Sequence, residues 1–126
     1  MMATAALCYA LVVHREARGE STSAQIAVAK TLQNRAEKSH KSACHELTKK
    51  RQFAFVRKYG LATPNLKKVG RLDVVAWRKS RALAKTFKSK KVRGITSKFV
   101  YFNTLKLGKR YRTKTTPVVI GKLIFY

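Results

Sequence analysis

The run from Thr4 to about Ala17 constrains the fold of this chain more than any other segment. Leu7, Cys8, Leu11, Val12 and Val13 leave little polar surface on it. A helix that is apolar on nearly every side has to be buried on most of them. The apolar stretch from Ala5 to Val13 is far too short to span a bilayer. It also lacks the positive flank that precedes the apolar region of a signal peptide. It reads as a buried helix, with Gly19 as a natural stop, and the chain is expected to carry no export signal of its own.

Thr22, with Gln25 three residues later, reads as a capping box that opens a second helix. Ala24, Ala27, Val28, Leu32 and Ala36 recur there at three- and four-residue steps, with Lys30, Gln33, Asn34 and Lys38 on the other face. A shorter helical turn around Ala43 to Leu47 leads to Gln52-Phe53-Ala54-Phe55, an aromatic pair spaced by two. Gly60 to Gly70, with Pro64 and Asn65, reads as loop. Asp73 is placed to cap a third helix carrying Val75, Ala76, Leu83, Ala84 and Phe87. The character then changes. Phe99 to Phe102, Val118 to Ile120 and Leu123 to Tyr126 are β-branched and aromatic runs that predict two or three strands. The connection from Thr104 to Thr116 holds five basic residues and should be solvated. With no internal repeat and no linker, 126 residues fit a single domain, 1–126. The expected fold is α+β, helix-dominant, with a small C-terminal β-hairpin or sheet.

Lys and Arg number 29 against 5 Asp and Glu, a formal net charge of +24. A hydrophobic content of 45% still supplies a real core, so the charge does not signal wholesale disorder. A surface this basic repels itself and attracts polyanions in a salt-dependent way. Nucleic acid, anionic lipid and the anionic polymers of a bacterial envelope all satisfy that description. Cys8 and Cys44 lack metal-type spacing, and the three histidines complete no site. Both cysteines lie in apolar-patterned segments, so two buried free thiols is the simpler reading. A single disulfide is the alternative, and it would suit an exported or envelope-acting protein.

Acid chemistry has few places to live in this chain: Glu16, Glu20, Glu37, Glu46 and Asp73. Asp73 has its capping explanation, Glu37 sits beside a lysine on a polar helix end, and Glu46 lies near Lys49 and Lys50. Glu16 falls in the last turn of the first helix, where partial burial and the negative end of the helix dipole both disfavour ionisation. Glu20 falls just before the next helix, whose positive end favours its charged form. Opposed environments of this kind mark divided acid and base roles, although capping or pairing with Arg18 would equally account for Glu20. A carboxylic acid that keeps its proton near neutral pH can protonate a poor leaving oxygen, as cleavage of a glycosidic bond requires. Metal catalysis lacks ligands, and His14, His40 and His45 give no Ser or Cys nucleophile a partner set.

The chain resembles the SleB-type cell wall hydrolases, a family of spore cortex-lytic enzymes and similar phage-encoded lysins. The resemblance is carried by Cys8-Tyr9-Ala10-Leu11, Glu16-Ala17-Arg18-Gly19-Glu20-Ser21, Gln25-Ile26-Ala27-Val28-Ala29 and Asn34-Arg35. It continues through Cys44, Gln52-Phe53-Ala54-Phe55, Tyr101-Phe102, Ile120-Gly121 and Phe125-Tyr126, in order along the chain. The segment from Glu16 to Glu20, followed by Gln25 and Asn34-Arg35, is its most specific part. The resemblance implies a lysozyme-like, lytic-transglycosylase-like fold acting on the glycan strand of peptidoglycan, with Glu16 as catalytic acid. It puts Gln52, Phe53, Tyr101 and Asn103 at sugar-binding positions. The chain departs from the family pattern in Thr96-Ser97-Lys98-Phe99, in Asn103 where a His is common, and in the basic run Lys109 to Lys114 in place of a Trp-containing segment.

A water-using glycosidase normally needs a second carboxylate across the sugar. A lytic transglycosylase needs one acid/base, because a hydroxyl of the substrate attacks. With Glu20 read as structural support, the scarcity of carboxylates favours the single-acid mechanism over a hydrolytic muramidase. The expectations are a monomeric enzyme that uses no cofactor or metal and acts on peptidoglycan glycan strands. Its basic surface would be drawn to anionic envelope polymers, and it would be released by a separate pore or carried in a virion. A nucleic-acid-binding protein is the competing reading, from the basic charge interleaved with Tyr59, Tyr101, Phe102 and Tyr111, but no recognition motif for it is present. The basic segment Lys85 to Arg93 could also act on membranes, though such runs are more often solvated faces.

Overall fold

The computed structural model describes residues 4–49, 53–106 and 114–126. Five helices come first: α1 (Ala5–Ala17), α2 (Thr22–Ser39), α3 (Ala43–Thr48), α4 (Ala54–Tyr59) and α5 (Arg71–Thr86). A 3-10 turn at Phe87–Ser89 follows, then β1 (Phe102–Thr104), β2 (Val118–Ile120) and β3 (Leu123–Phe125). The fold is therefore α+β and helix-dominant, with a small antiparallel sheet at the C-terminal end.

The apolar first helix is the centre of the molecule. α1 packs against α2, α3 and α5 together, and Cys8, Leu11, Val12 and Val13 are fully enclosed. Thr4 caps it by accepting the Leu7 amide at 3.1 Å. Trp77 of α5 meets the edge of His14 at 5.4 Å between ring centroids, and Tyr9 lies 4.6 Å from Phe87. The two cysteines are joined: α1 and α3 bring their Cα atoms to 5.4 Å and Cys8 and Cys44 form a disulfide. The free-thiol reading is thereby corrected, since helices packed this closely leave the two sulfur atoms no separate compartments.

Two capping expectations are also corrected. Ser21, not Thr22, caps α2 by accepting the Ala24 amide. Gln25 does not reach back to the cap. Its buried amide donates to the Ala17 carbonyl at 3.1 Å, satisfying an orphan acceptor at the end of α1. Gly70 occupies the N-cap of α5, and Asp73 lies in its first turn, paired with Arg18. The spacing of Phe53 and Phe55 belongs to the start of helix α4, with Phe53 at its N-cap.

The sheet order is β1-β3-β2, so β3 is central and its three residues are all buried. Phe102 pairs with Phe125, and Val118 with Phe125 from the other side. Gly121 and Lys122 form the two-residue turn between β2 and β3, and Gly121 takes a φ of 60° that suits such hairpins. In the Phe99–Phe102 run, Tyr101 and Tyr126 exchange backbone hydrogen bonds at 2.9 Å each, and the strand proper starts at Phe102. Ahead of Tyr101, the carbonyls of the segment are held by side chains of α2. Asn34 donates to the Thr96 and Phe99 carbonyls, at 3.0 and 2.8 Å. Arg35 donates to the Val100 carbonyl through Nε at 2.9 Å and through a terminal nitrogen at 2.6 Å.

Candidate active site

Glu16 lies in the last turn of α1, half-buried. Burial raises its pKa above the ordinary glutamate value. Among the described residues, no ion pair or hydrogen bond engages its carboxyl. The other acids differ. Glu20 accepts the Lys122 amide at 3.3 Å, which ties the α1–α2 junction to the β2–β3 turn. Its carboxylate fills the space beside Gly121, where a Cβ would come within 2.9 Å of Oε2. Asp73 is engaged by Arg18. Glu46 is fully buried and paired with Lys49 at 2.9 Å. Burial works against its charge, but the neighbouring Ser39 hydroxyl and the Lys49 ammonium hold its pKa below the usual value. Glu37 is exposed on α2.

Two elements run from a common aromatic cluster toward the α1–α2 junction. The cluster is built around Arg35, whose guanidinium lies 5.4 Å from the Phe53 ring and 5.0 Å from the Tyr101 ring. Phe53 also meets Phe102 at 6.0 Å. α4 leads from Phe53 to Tyr59, whose ring lies 4.0 Å beneath Arg15 in the last turn of α1. At 1.5 Å per residue this short helix is about 9 Å long. β1 leads from Tyr101 to Leu105, whose amide bonds the Lys122 carbonyl at 2.8 Å, and Lys122 in turn donates to Glu20. The end of α1 that carries Glu16 is thus linked to the Tyr101–Phe53 cluster along both routes.

Of the residues expected to contact sugar, Tyr101 is 47% exposed and available to stack. Asn103 is exposed and donates to the Tyr126 hydroxyl at 2.7 Å. Phe53 is buried, at 8% exposure, and supports its neighbours more than it offers a face. Gln52 lies outside the described residues. The sequence reading gave Asn34 and Arg35 no role. Here they fix the backbone from Thr96 to Val100, immediately before Tyr101. Their adjacency on the polar side of α2, where most such residues are solvated, was the available signal. Among the described residues, no group of three or more His, Cys, Asp or Glu is arranged to hold a metal ion, and no helix is long and apolar enough to cross a membrane.

The last turn of α1 thus carries a half-buried carboxyl whose pKa burial raises, next in sequence to Arg15, which lies over the Tyr59 ring. The family model described as Cell Wall Hydrolase, of the SleB type, matches residues 19–126, and the chain belongs to that family. Its general activity is accordingly degradation of the cell wall, with peptidoglycan as substrate. No curated protein and no solved structure matches the chain. The matched segment begins three residues after Glu16, so the role of that residue rests on its surroundings.

Proposed function

We propose that the protein cleaves the glycosidic bond between N-acetylmuramic acid and N-acetylglucosamine, with Glu16 as its single acid/base. The observation that carries this reading is the distribution of the five carboxylates. Only Glu16 combines partial burial, a raised pKa and a carboxyl not engaged by a cation or an amide. Its proton passes to the glycosidic oxygen as the bond to the muramic acid C1 breaks. The carboxylate then takes the proton of that sugar's C6 hydroxyl as its oxygen bonds to C1, giving a 1,6-anhydro product and restoring the acid. Tyr101 and Asn103 contact the strand, Phe53 backs them, and Gln52 belongs to the same segment. Glu20 orders the junction through Lys122. The positive charge supports action on an anionic envelope, as a phage lysin would require.

Digestion of purified peptidoglycan by the wild type and by Glu16→Gln, with the fragments read by mass spectrometry, tests the proposal. Anhydro ends that vanish in the variant are the expected result. Reducing ends instead would make the enzyme a hydrolytic muramidase, and absence of glycan cleavage by the wild type would overturn the reading.

A further inference from the structure

Three lysines from separate segments converge beside Tyr101. Lys38 comes from the C-terminal half of α2, Lys98 from the segment held by Asn34 and Arg35, and Lys114 from the residues ahead of β2. They line one hollow of about 340 Å³ and an adjoining one of about 200 Å³. Val100 belongs to both, and Tyr101 and Tyr126 wall the second. The two tyrosine rings lie 5.7 Å apart. Among the described residues, Glu37 is the one acidic side chain on the lining of these two hollows, against three lysines, so positive side-chain charge is in excess there. The fully buried Glu46 lies beneath the lining of a third hollow and is held by Lys49.

We infer that this groove is a subsite for the short acidic peptide that branches from the glycan strand, an inference that rests on the glycan-cleaving function proposed above. Charge complementarity selects an anion. Lysines are separate point charges on flexible stems, so they can meet carboxylates spaced along a chain one at a time. Among the described residues, no arginine lines these two hollows, so a bidentate fork for phosphate is lacking there, and the arginine nearby, Arg35, is directed at the Val100 carbonyl. Val100 and the tyrosine rings offer apolar surface that a peptide can cover. The groove also adjoins Tyr101, so a strand seated there would direct its branch toward the lysines.

The test compares peptide-bearing glycan strands with strands stripped of peptide by an amidase, using the wild type and the double variant Lys98→Ala/Lys114→Ala. Both lysines are exposed and outside the helices, and a thermal melt checks that the variant folds. The KM for peptide-bearing strands is expected to rise about tenfold in the variant, with kcat unchanged, as loss of two half-screened charge contacts would give. The difference should shrink at high salt. An equal rise on both substrates, or no rise, would overturn the subsite. So would a KM insensitive to peptide removal but sensitive to removal of phosphate-bearing wall polymers. If the wild type cleaves neither strand, the proposed function fails. Titration with the free tetrapeptide then judges the groove by itself: binding weakened by the double variant upholds it, and no binding to the wild type overturns it.

Discussion

Breaking the link between Cys8 and Cys44 should cost this protein a large part of its stability. The bridge closes a loop with a sequence separation of 36 residues. For a loop of that length, the restriction of the unfolded chain amounts to about 4 kcal/mol at 25 °C. Unfolding entropy scales with size, and for 126 residues that free energy corresponds to a shift of roughly 15 °C in Tm. Calorimetric melts of the oxidised protein, the same protein under reductant, and Cys8→Ala/Cys44→Ala would measure it. The reduced protein is the cleaner comparison, because Cys8 is fully buried and its replacement also leaves a small cavity. Both altered forms should melt well below the oxidised one. Below those lower transitions, the reduced protein should keep its activity, because the bridge lies two turns from Glu16. A shift under about 3 °C in protein shown to be oxidised would refute the loop argument. Two titratable thiols in the unfolded, unreduced chain would refute the bridge itself.

Glu16→Gln should lower kcat by about 10²- to 10⁴-fold, the usual contribution of a general acid. Because burial raises the Glu16 pKa, the native state keeps a proton that the unfolded state releases, so stability falls as pH rises above the unfolded value. The variant should thus be more stable than the wild type at neutral pH in urea denaturation, and the alkaline limb of wild-type kcat should lie above the ordinary glutamate range. His14 is buried, and burial followed by the nearby Arg18 and Arg15 lowers its pKa to about 4, against a smaller opposing pull from Asp73. Its unfolded form takes up a proton that the native form refuses, so up to about 3 kcal/mol of stability is lost as pH falls from 6.5 toward 4. His14→Gln should flatten that slope in denaturation curves taken across the range, and an unchanged slope would count against the assignment. Gly121→Ala should cost at least about 1–2 kcal/mol from its left-handed φ, with more from contact with Glu20, as a melt would show.

Much of the fold was legible because it is written at short range. The enclosed α1, the 3–4 spacing of α2 and the β-branched runs at the C-terminal end each identify themselves within a few residues. The short helix α4 did not, because two aromatics spaced by two fit a strand as readily as the entry to a helix. Within the candidate site, the partial burial of Glu16 and its raised pKa could be anticipated from its place in the last turn of an apolar helix. The ties that occupy Asp73 and Glu20 could not, since Arg18 finds Asp73 across 55 residues and Glu20 finds Lys122 across 102.

Local chemistry alone therefore determined a buried first helix, an α+β order of elements, a strongly basic surface and a family resemblance centred on Glu16. Tertiary structure decided the partners. Cys8 met Cys44, Arg18 found Asp73, Asn34 and Arg35 became clamps on the segment before Tyr101, and three dispersed lysines formed one groove. The physical reason is that periodicity and capping act over one or two helical turns. Pairing between distant residues is set only when the helices pack and carry their side chains to a shared place.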